Sequence, residues 1–338
     1  MRKLRRYLLI TILVLAAVYL LGPKPSEPEF DMNLPSLTSN FRNLEKMIKE
    51  NEKMHNIKPD NESRIIWAND SSVERTEYSL LYLHGFSASW YEGYPVNKNF
   101  AQYFGMNAYF PRLASHGIDT VDALTDMTPD RLWTSAKESL MIARKIGKRV
   151  LIMGTSTGGT LALMLAATFP EYVDGLILYS PNIRINNNKS FLLSKPWGLQ
   201  IARKSYNGRY RVTNQDSTSK ECAYWNCKYR LEAIVYLQQL IDFTMKKETY
   251  ARVTAPVFLG YYYKDKDNQD DVVKVKSMLK MFDQLGTEEG RKIKVPFPDA
   301  GSHTICSELF SGVVDDLLIE TINFGKDVLN LKPVKAKK

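Results

Sequence analysis

The 338-residue sequence predicts an α/β fold, a mostly parallel sheet wrapped by helices, on three observations. From about Ser63 onward, short runs rich in Val, Ile, Leu and Tyr alternate with segments of helical periodicity. The runs are apolar throughout, as strands buried on both faces must be. A serine between glycines, Gly154-Thr155-Ser156-Thr157-Gly158, stands where one such run passes into a helical segment. Composition agrees, since 44% hydrophobic and 25% charged residues is the balance of a globular chain and excludes disorder as its main state.

Taken in order, the first 24 residues stand apart from this pattern. Arg2, Lys3, Arg5 and Arg6 precede an apolar run from Tyr7 to Leu21, which stops at Gly22-Pro23-Lys24-Pro25. Such a segment is an uncleaved membrane anchor or a cleaved signal. Leu20 and Gly22 make no small-x-small cleavage site, which favours a transmembrane signal-anchor. As a helix, Tyr7 to Gly22 would span about 24 Å against a hydrocarbon layer of ~30 Å, so its arginines would have to snorkel or the bilayer thin. With the basic end inside, the body is exported. The expected location is the membrane with the catalytic body outside the cytoplasm, periplasmic in a bacterium, or secreted if the segment is cleaved.

Residues 25–62 read as a spacer and an N-terminal helix. Pro23, Pro25, Pro28 and Pro35 predict a stiff, extended stretch leading away from the bilayer. Phe41, Leu44, Met47 and Ile48 fall at helical spacing and predict a helix over Asn40–Met54. The core then divides into 63–185 and 254–331. Its predicted strands are Ile65–Ala68, Tyr78–Leu83, Asn107–Pro111, Arg149–Gly154, Gly175–Ser180, Pro256–Tyr263 and Lys292–Pro296, with helices at Pro129–Ile146, Gly158–Phe169, Val272–Leu285 and Ser311–Phe324. Residues 186–253 are far too many for a connection and form an insertion with a helix over Leu231–Met245. A basic tail, 332–338, closes the chain.

The net charge of +9 resides in the two ends. Arg2, Lys3, Arg5, Arg6, Lys24, Lys332, Lys335, Lys337 and Lys338 account for all of it, and the body between them is formally neutral. Nucleic acid is therefore not expected as a partner. Cys222, Cys227 and Cys306 are too few for a disulfide scaffold and lack zinc-site spacing, so no metal is expected. Cys222 and Cys227 could pair across a break in helix, whereas Cys306 reads as a buried apolar filler.

In parallel sheets, ligands bind beyond the carboxyl ends of the strands. The strand–Gly154-to-Gly158–helix arrangement is that of a nucleophile elbow, whose tight turn excludes a Cβ at the flanks and projects the Ser156 hydroxyl. A serine hydroxyl needs a base. His55, His84 and His116 all precede Ser156, and chain order in this architecture is nucleophile, acid, histidine, which leaves His303 in the loop Asp299-Ala300-Gly301-Ser302-His303-Thr304. The loop after Tyr263 supplies the acid from Asp265, Asp267, Asp270 or Asp271. Asp270 is preferred because it stands just ahead of a helix beginning at Val272-Val273, with Asp265 and Asp271 left open. The oxyanion needs two backbone donors, assigned to Thr157 and to Phe86 in Leu83-His84-Gly85-Phe86-Ser87. His84 and His116 read as packed loop residues.

His84-Gly85-Phe86, the elbow, Asp270 ahead of Val272-Val273, and Gly301-Ser302-His303 together make the chain resemble the α/β-hydrolase family, within it the lysophospholipase and monoacylglycerol-lipase-like group. The resemblance covers about residues 63–328. It implies a carboxylic ester or lipid-like substrate, no cofactor, and a lid role for 186–253. Trp197, Tyr206, Tyr210, Tyr224, Trp225 and Tyr229 of that insertion would either line an acyl channel or form its own small core. Two departures stand out: the acidic loop is long and heavily charged, and Ala114-Ser115-His116-Gly117 replaces a glycine-histidine-glycine. The expected protein is a membrane-tethered serine esterase with a Ser156-His303-Asp270 triad. A peptidase or thioesterase on the same triad, or an inactive hydrolase fold that binds, are the alternatives.

Overall fold

The computed structural model describes residues 2–38 and 40–334, so the tail lysines Lys335, Lys337 and Lys338 lie outside the described residues. The strands are β1 (Arg64–Ile66), β2 (Thr76–Leu83), β3 (Asn107–Phe110), β4 (Gly147–Thr155), β5 (Gly175–Tyr179), β6 (Tyr210–Val212), β7 (Lys228–Arg230), β8 (Val257–Tyr261) and β9 (Lys292–Pro296). The helices are α1 (Arg2–Leu20), α2 (Phe41–Lys53), α3 (Val96–Tyr103), α4 (Pro129–Ile146), α5 (Thr157–Thr168), α6 (Gly198–Ser205), α7 (Lys220–Tyr224), α8 (Glu232–Thr244), α9 (Lys247–Ala251), α10 (Val275–Asp283) and α11 (Val314–Asp327). All seven predicted strands form one sheet in the order β1-β3-β2-β4-β5-β8-β9. Only β1 pairs antiparallel, with β3.

The unbroken apolar runs have a direct packing reason. Successive side chains of a strand point to opposite faces, and here both faces are covered. Leu81, Leu83, Val150, Ile152, Leu176, Leu178, Val257 and Leu259 enter the core on one side. Their neighbours Leu80, Tyr82, Leu151, Met153, Ile177, Tyr179 and Phe258 enter the core on the other. The first core takes the inner faces of α4, α5, α8 and α10, and the second those of α3 and α11. Local signals start the helices. Asn40 caps α2 by accepting from Asn43 N–H, and Thr128 caps α4 by accepting from Arg131 N–H, with Pro129 in the first turn.

Three expectations need correction. First, among the described residues no helix is long and apolar enough to cross a membrane. The first turns of α1 are occupied by Lys3, Arg5 and Arg6, and the apolar remainder from Tyr7 to Leu20 is about 21 Å long. Its side chains Leu8, Leu13, Leu15 and Leu20 are exposed.

Second, the proline-rich stretch is extended but does not lead away from the body. Trp197 N–H donates to Pro23 O at 2.9 Å, Gln239 Nε2 to Ser26 O at 2.7 Å, and Trp133 Nε1 to Asp31 O at 2.7 Å. Lys137, whose side chain is 2% exposed, ends on Asp31 Oδ2 at 2.7 Å and Asn33 O. A buried ammonium needs such partners, and the segment supplies them.

Third, α10 begins at Val275, not Val272. The Asp270 carboxylate accepts from both Val272 N–H and Val273 N–H at 2.9 Å and holds them in a turn ahead of the helix.

The insertion between β5 and β8 carries α6 to α9 and the antiparallel pair β6-β7. Cys222 and Cys227 are joined in a disulfide where α7 ends, and Trp225 packs with both and with Ala88. Lys58 Nζ donates to Cys222 O and, at 2.9 Å, to Trp225 O. Of the six aromatics, Trp225 and Tyr229 are buried, Tyr224 stacks on Tyr91 at 4.0 Å, and Tyr206 is exposed, so they serve packing more than a common channel. Closing so short a ring lowers the entropy of the unfolded chain and contributes about 2 kcal/mol. Cys222→Ser, or reduction of the wild type, is therefore expected to lower stability by about that amount. Denaturant titration with a thiol count checks this, and an unmoved midpoint would refute it.

Candidate active site

Ser156 sits between β4 and α5 with φ 51° and ψ −115°, a strained conformation for a non-glycine residue, and is 6% exposed. The glycines around it allow this turn. A Cβ on Gly154 would lie 2.6 Å from Gly158 O, and a Cβ on Gly159 would lie 2.7 Å from Pro181 Cβ. The tightest is Gly158, where a Cβ would fall 1.8 Å from Leu83 O and 2.8 Å from His84 O, both backbone. The first turn of α5 thus lies directly against the loop that carries Phe86. Gly158→Ala is expected to destabilise the fold by about 3 kcal/mol or more, because no side chain can rotate out of the way. Thermal unfolding reads this out, and a variant melting with the wild type would show the helix free to retreat.

His303 and Asp270 come together as expected. Nδ1 of His303 lies 2.7 Å from Asp270 Oδ2, and their side chains are 11% and 0% exposed. Of the four candidate acids, Asp265, Asp267 and Asp271 are exposed, and Asp265 spends its carboxylate on Asn268 and on the N–H of Asp267. Burial alone would raise the Asp270 pKa, but the charge and hydrogen bond of His303 and the two valine N–H groups hold it below the ordinary carboxylate value. Burial alone would lower the His303 pKa, but Asp270, with Glu92 and Asp271, raises it above the ordinary histidine value.

Nε2 of His303 is buried and has no hydrogen-bond partner among the described residues, so Ser156 and His303 are not bonded to each other in this state. Their loops do meet. Thr155, the residue before the serine, places Oγ1 3.2 Å from Sγ of Cys306, three residues beyond the histidine. On the other flank, Asn182 N–H donates to Ser156 O at 2.9 Å.

Phe86 is half-buried in the loop after β2, its ring edge-on to Tyr229 of the insertion with centroids 5.1 Å apart. Thr157 is buried at the N-terminus of α5. His84 is a packing residue, as expected. Leu113 N–H donates to its Nε2 at 3.1 Å while Nδ1 faces Gly85 O at 2.9 Å, which fixes a neutral ring. His116 lies edge-on to it at 4.9 Å, and burial pushes its pKa down to about 4. Cys306 is buried and free, its pKa pushed well up by burial. No group of residues suited to hold a metal ion occurs among the described residues.

Sequence reasoning missed Glu92, which is 3% exposed behind the Phe86 loop. The one available signal was an acid enclosed by aromatics in Trp90-Tyr91-Glu92-Gly93-Tyr94.

Residues 80–309 match the description "Alpha/beta hydrolase family", and the chain belongs to that family, a hydrolase by class. Among solved structures it is similar to that reported for LipS and LipT, two metagenome-derived lipolytic enzymes, with 17% identity over 79% of this chain and 98% of that one and a TM-score of 0.61. It is similar also to the monoacylglycerol lipase of Paleococcus ferrophilus, with 13% identity, 78% and 96% coverage and a TM-score of 0.56. The enol-lactonase of Burkholderia xenovorans LB400 shares 14% identity over 78% of this chain and 95% of that one, with a TM-score of 0.50. At these identities the likeness is one of fold. A comparison with curated proteins found no match in sequence.

Proposed function

We propose that the protein is a serine hydrolase of carboxylic esters, with lysophospholipid- or monoacylglycerol-like esters as the substrate class. One observation carries the reading: a buried imidazole held by a buried carboxylate at 2.7 Å, its far nitrogen unpartnered, on a loop that meets the strained Ser156 turn. His303 Nε2 takes the proton from Ser156 Oγ as that oxygen bonds to the ester carbonyl carbon. The N–H groups of Phe86 and Thr157 hold the resulting oxyanion. The carbonyl–oxygen bond to the alcohol then breaks, and His303 gives the proton to the leaving alcohol. Water, deprotonated by the same nitrogen, attacks the acyl-enzyme and releases the acid and free Ser156. Asp270 keeps the imidazole oriented throughout.

Lipolytic enzymes and a monoacylglycerol lipase among the similar structures support the lipid-like choice. The disulfide supports the further reading that the body is exported, since such bonds persist in oxidising compartments. The exposed apolar side chains of α1 support its attachment to a membrane surface. The full-length protein is to be treated with a fluorophosphonate probe and offered esters of increasing acyl length beside aminoacyl amides. Labelling with ester turnover is expected. An unlabelled, inert protein would end the proposal, and labelling with amide but no ester turnover would make it a peptidase.

A further inference from the structure

Beneath the three loops of the site lies a closed ring of buried polar groups. Glu92 Oε2 accepts from Gly85 N–H at 2.5 Å and from the Tyr82 hydroxyl at 3.2 Å. That hydroxyl lies 3.1 Å from Thr155 Oγ1, which lies 3.2 Å from Cys306 Sγ, and the thiol returns to Glu92 O at 3.3 Å. Tyr82, Thr155 and Cys306 are fully buried. Gly85, Thr155 and Cys306 belong to the Phe86 loop, the serine turn and the histidine loop respectively, so Glu92 meets the first through its carboxylate, the second by way of Tyr82, and the third through its main-chain carbonyl.

The surroundings are shaped for it. A Cβ on Gly85 would meet Glu92 Oε1 at 2.6 Å, so any larger residue there would make the carboxylate shift from its place on that N–H. A Cβ on Gly93 would meet the Tyr82 ring at 2.4 Å, so glycine again seats the tyrosine. Burying a carboxylate is costly and persists only where it is hydrogen-bonded or serves a function. A carboxamide or a water could satisfy one N–H and one hydroxyl without that cost.

We propose that Glu92 is a positioning residue of the hydrolytic centre, holding the Phe86 loop through Gly85 N–H and the serine turn by way of Tyr82. The inference rests on the serine-hydrolase reading. Asp270, Asp271 and Glu92 are the charges that act on His303, and the Tyr82 hydroxyl and Cys306 thiol are the titratable groups beside Glu92. Burial pushes Glu92 up to about 7, with Gly85 N–H, His303 and Tyr82 opposing. Its charge therefore develops through neutrality and is complete only on the alkaline side, where His303 works as a base.

Two variants separate charge from geometry in the full-length protein. Glu92→Gln keeps the shape and drops the charge, so the acid limb of kcat/KM is expected to move to lower pH. Glu92→Asp keeps the charge but withdraws it by one methylene, so kcat is expected to fall on the order of tenfold with KM within about twofold, as loss of positioning does. Near-UV circular dichroism checks that both fold. If neither does, Gly85→Ala pushes the same contact apart from the other side with Glu92 intact, and the same fall in kcat is expected. Folded variants with kcat within about twofold of an active wild type and an unmoved acid limb would overturn the role of Glu92 alone. An inert wild type would overturn the hydrolase reading and this inference with it.

Discussion

Ser156→Ala is expected to abolish fluorophosphonate labelling and to lower kcat on the order of 10⁵- to 10⁶-fold, with little change in KM. The hydroxyl oxygen is the only heavy atom removed, and His303 Nε2, already unpartnered, loses the proton it would accept. What remains is binding and the two backbone donors, which in such centres still leave a residual rate above that of water. The variant is also expected to be slightly more stable than the wild type. Its backbone keeps the same strained turn, but the buried polar hydroxyl is gone. Retained labelling at wild-type rate would place the nucleophile elsewhere.

Asp270→Asn is expected to lower kcat roughly 10⁴-fold, through a proton on the wrong nitrogen. Oδ1 of Asp270 is taken by the N–H groups of Val272 and Val273, so in the variant the amide oxygen stays there and the NH₂ must face His303 Nδ1. Nδ1 then accepts, and the ring's single proton moves to Nε2, the atom that should take the proton of serine. The pH profile carries the sign. With Asp270 ionised, the raised His303 pKa puts the acid limb of wild-type kcat/KM above the ordinary histidine value of 6.5. Removing the charge leaves burial dominant, so in the variant that limb moves to lower pH. A limb that stays in place, or a kcat within tenfold of wild type, would remove Asp270 from its assigned role.

Much of this centre was legible because its constraints are local. Unbroken apolar runs mark strands covered on both faces, and glycines on either side of Ser156 mark a turn with no room for a Cβ. His303 was found by elimination, since the other three histidines precede the serine. Asp270 was harder. Four aspartates share one loop, and what distinguishes Asp270 is burial, which depends on packing from distant segments. Glu92 was missed for the same reason, because an acid on a short helical turn, even one set among aromatics, reads as solvated until Gly85 and Tyr82, several residues earlier, fold onto it. The proline-rich stretch signalled extension correctly, but its partners Trp133, Lys137, Trp197 and Gln239 lie more than a hundred residues away, and nothing local names them.

The docked stretch fixes where α1 leaves the body. Because Pro23, three residues past the end of α1, is fastened to Trp197, there is no slack leash between that helix and the body. Any surface that takes up α1 would be brought up against the part of residues 186–253 that carries Trp197. The direction in which α1 projects is thus built into two hydrogen bonds of one tryptophan, the second from its Nε1 to Val18 O at 3.0 Å.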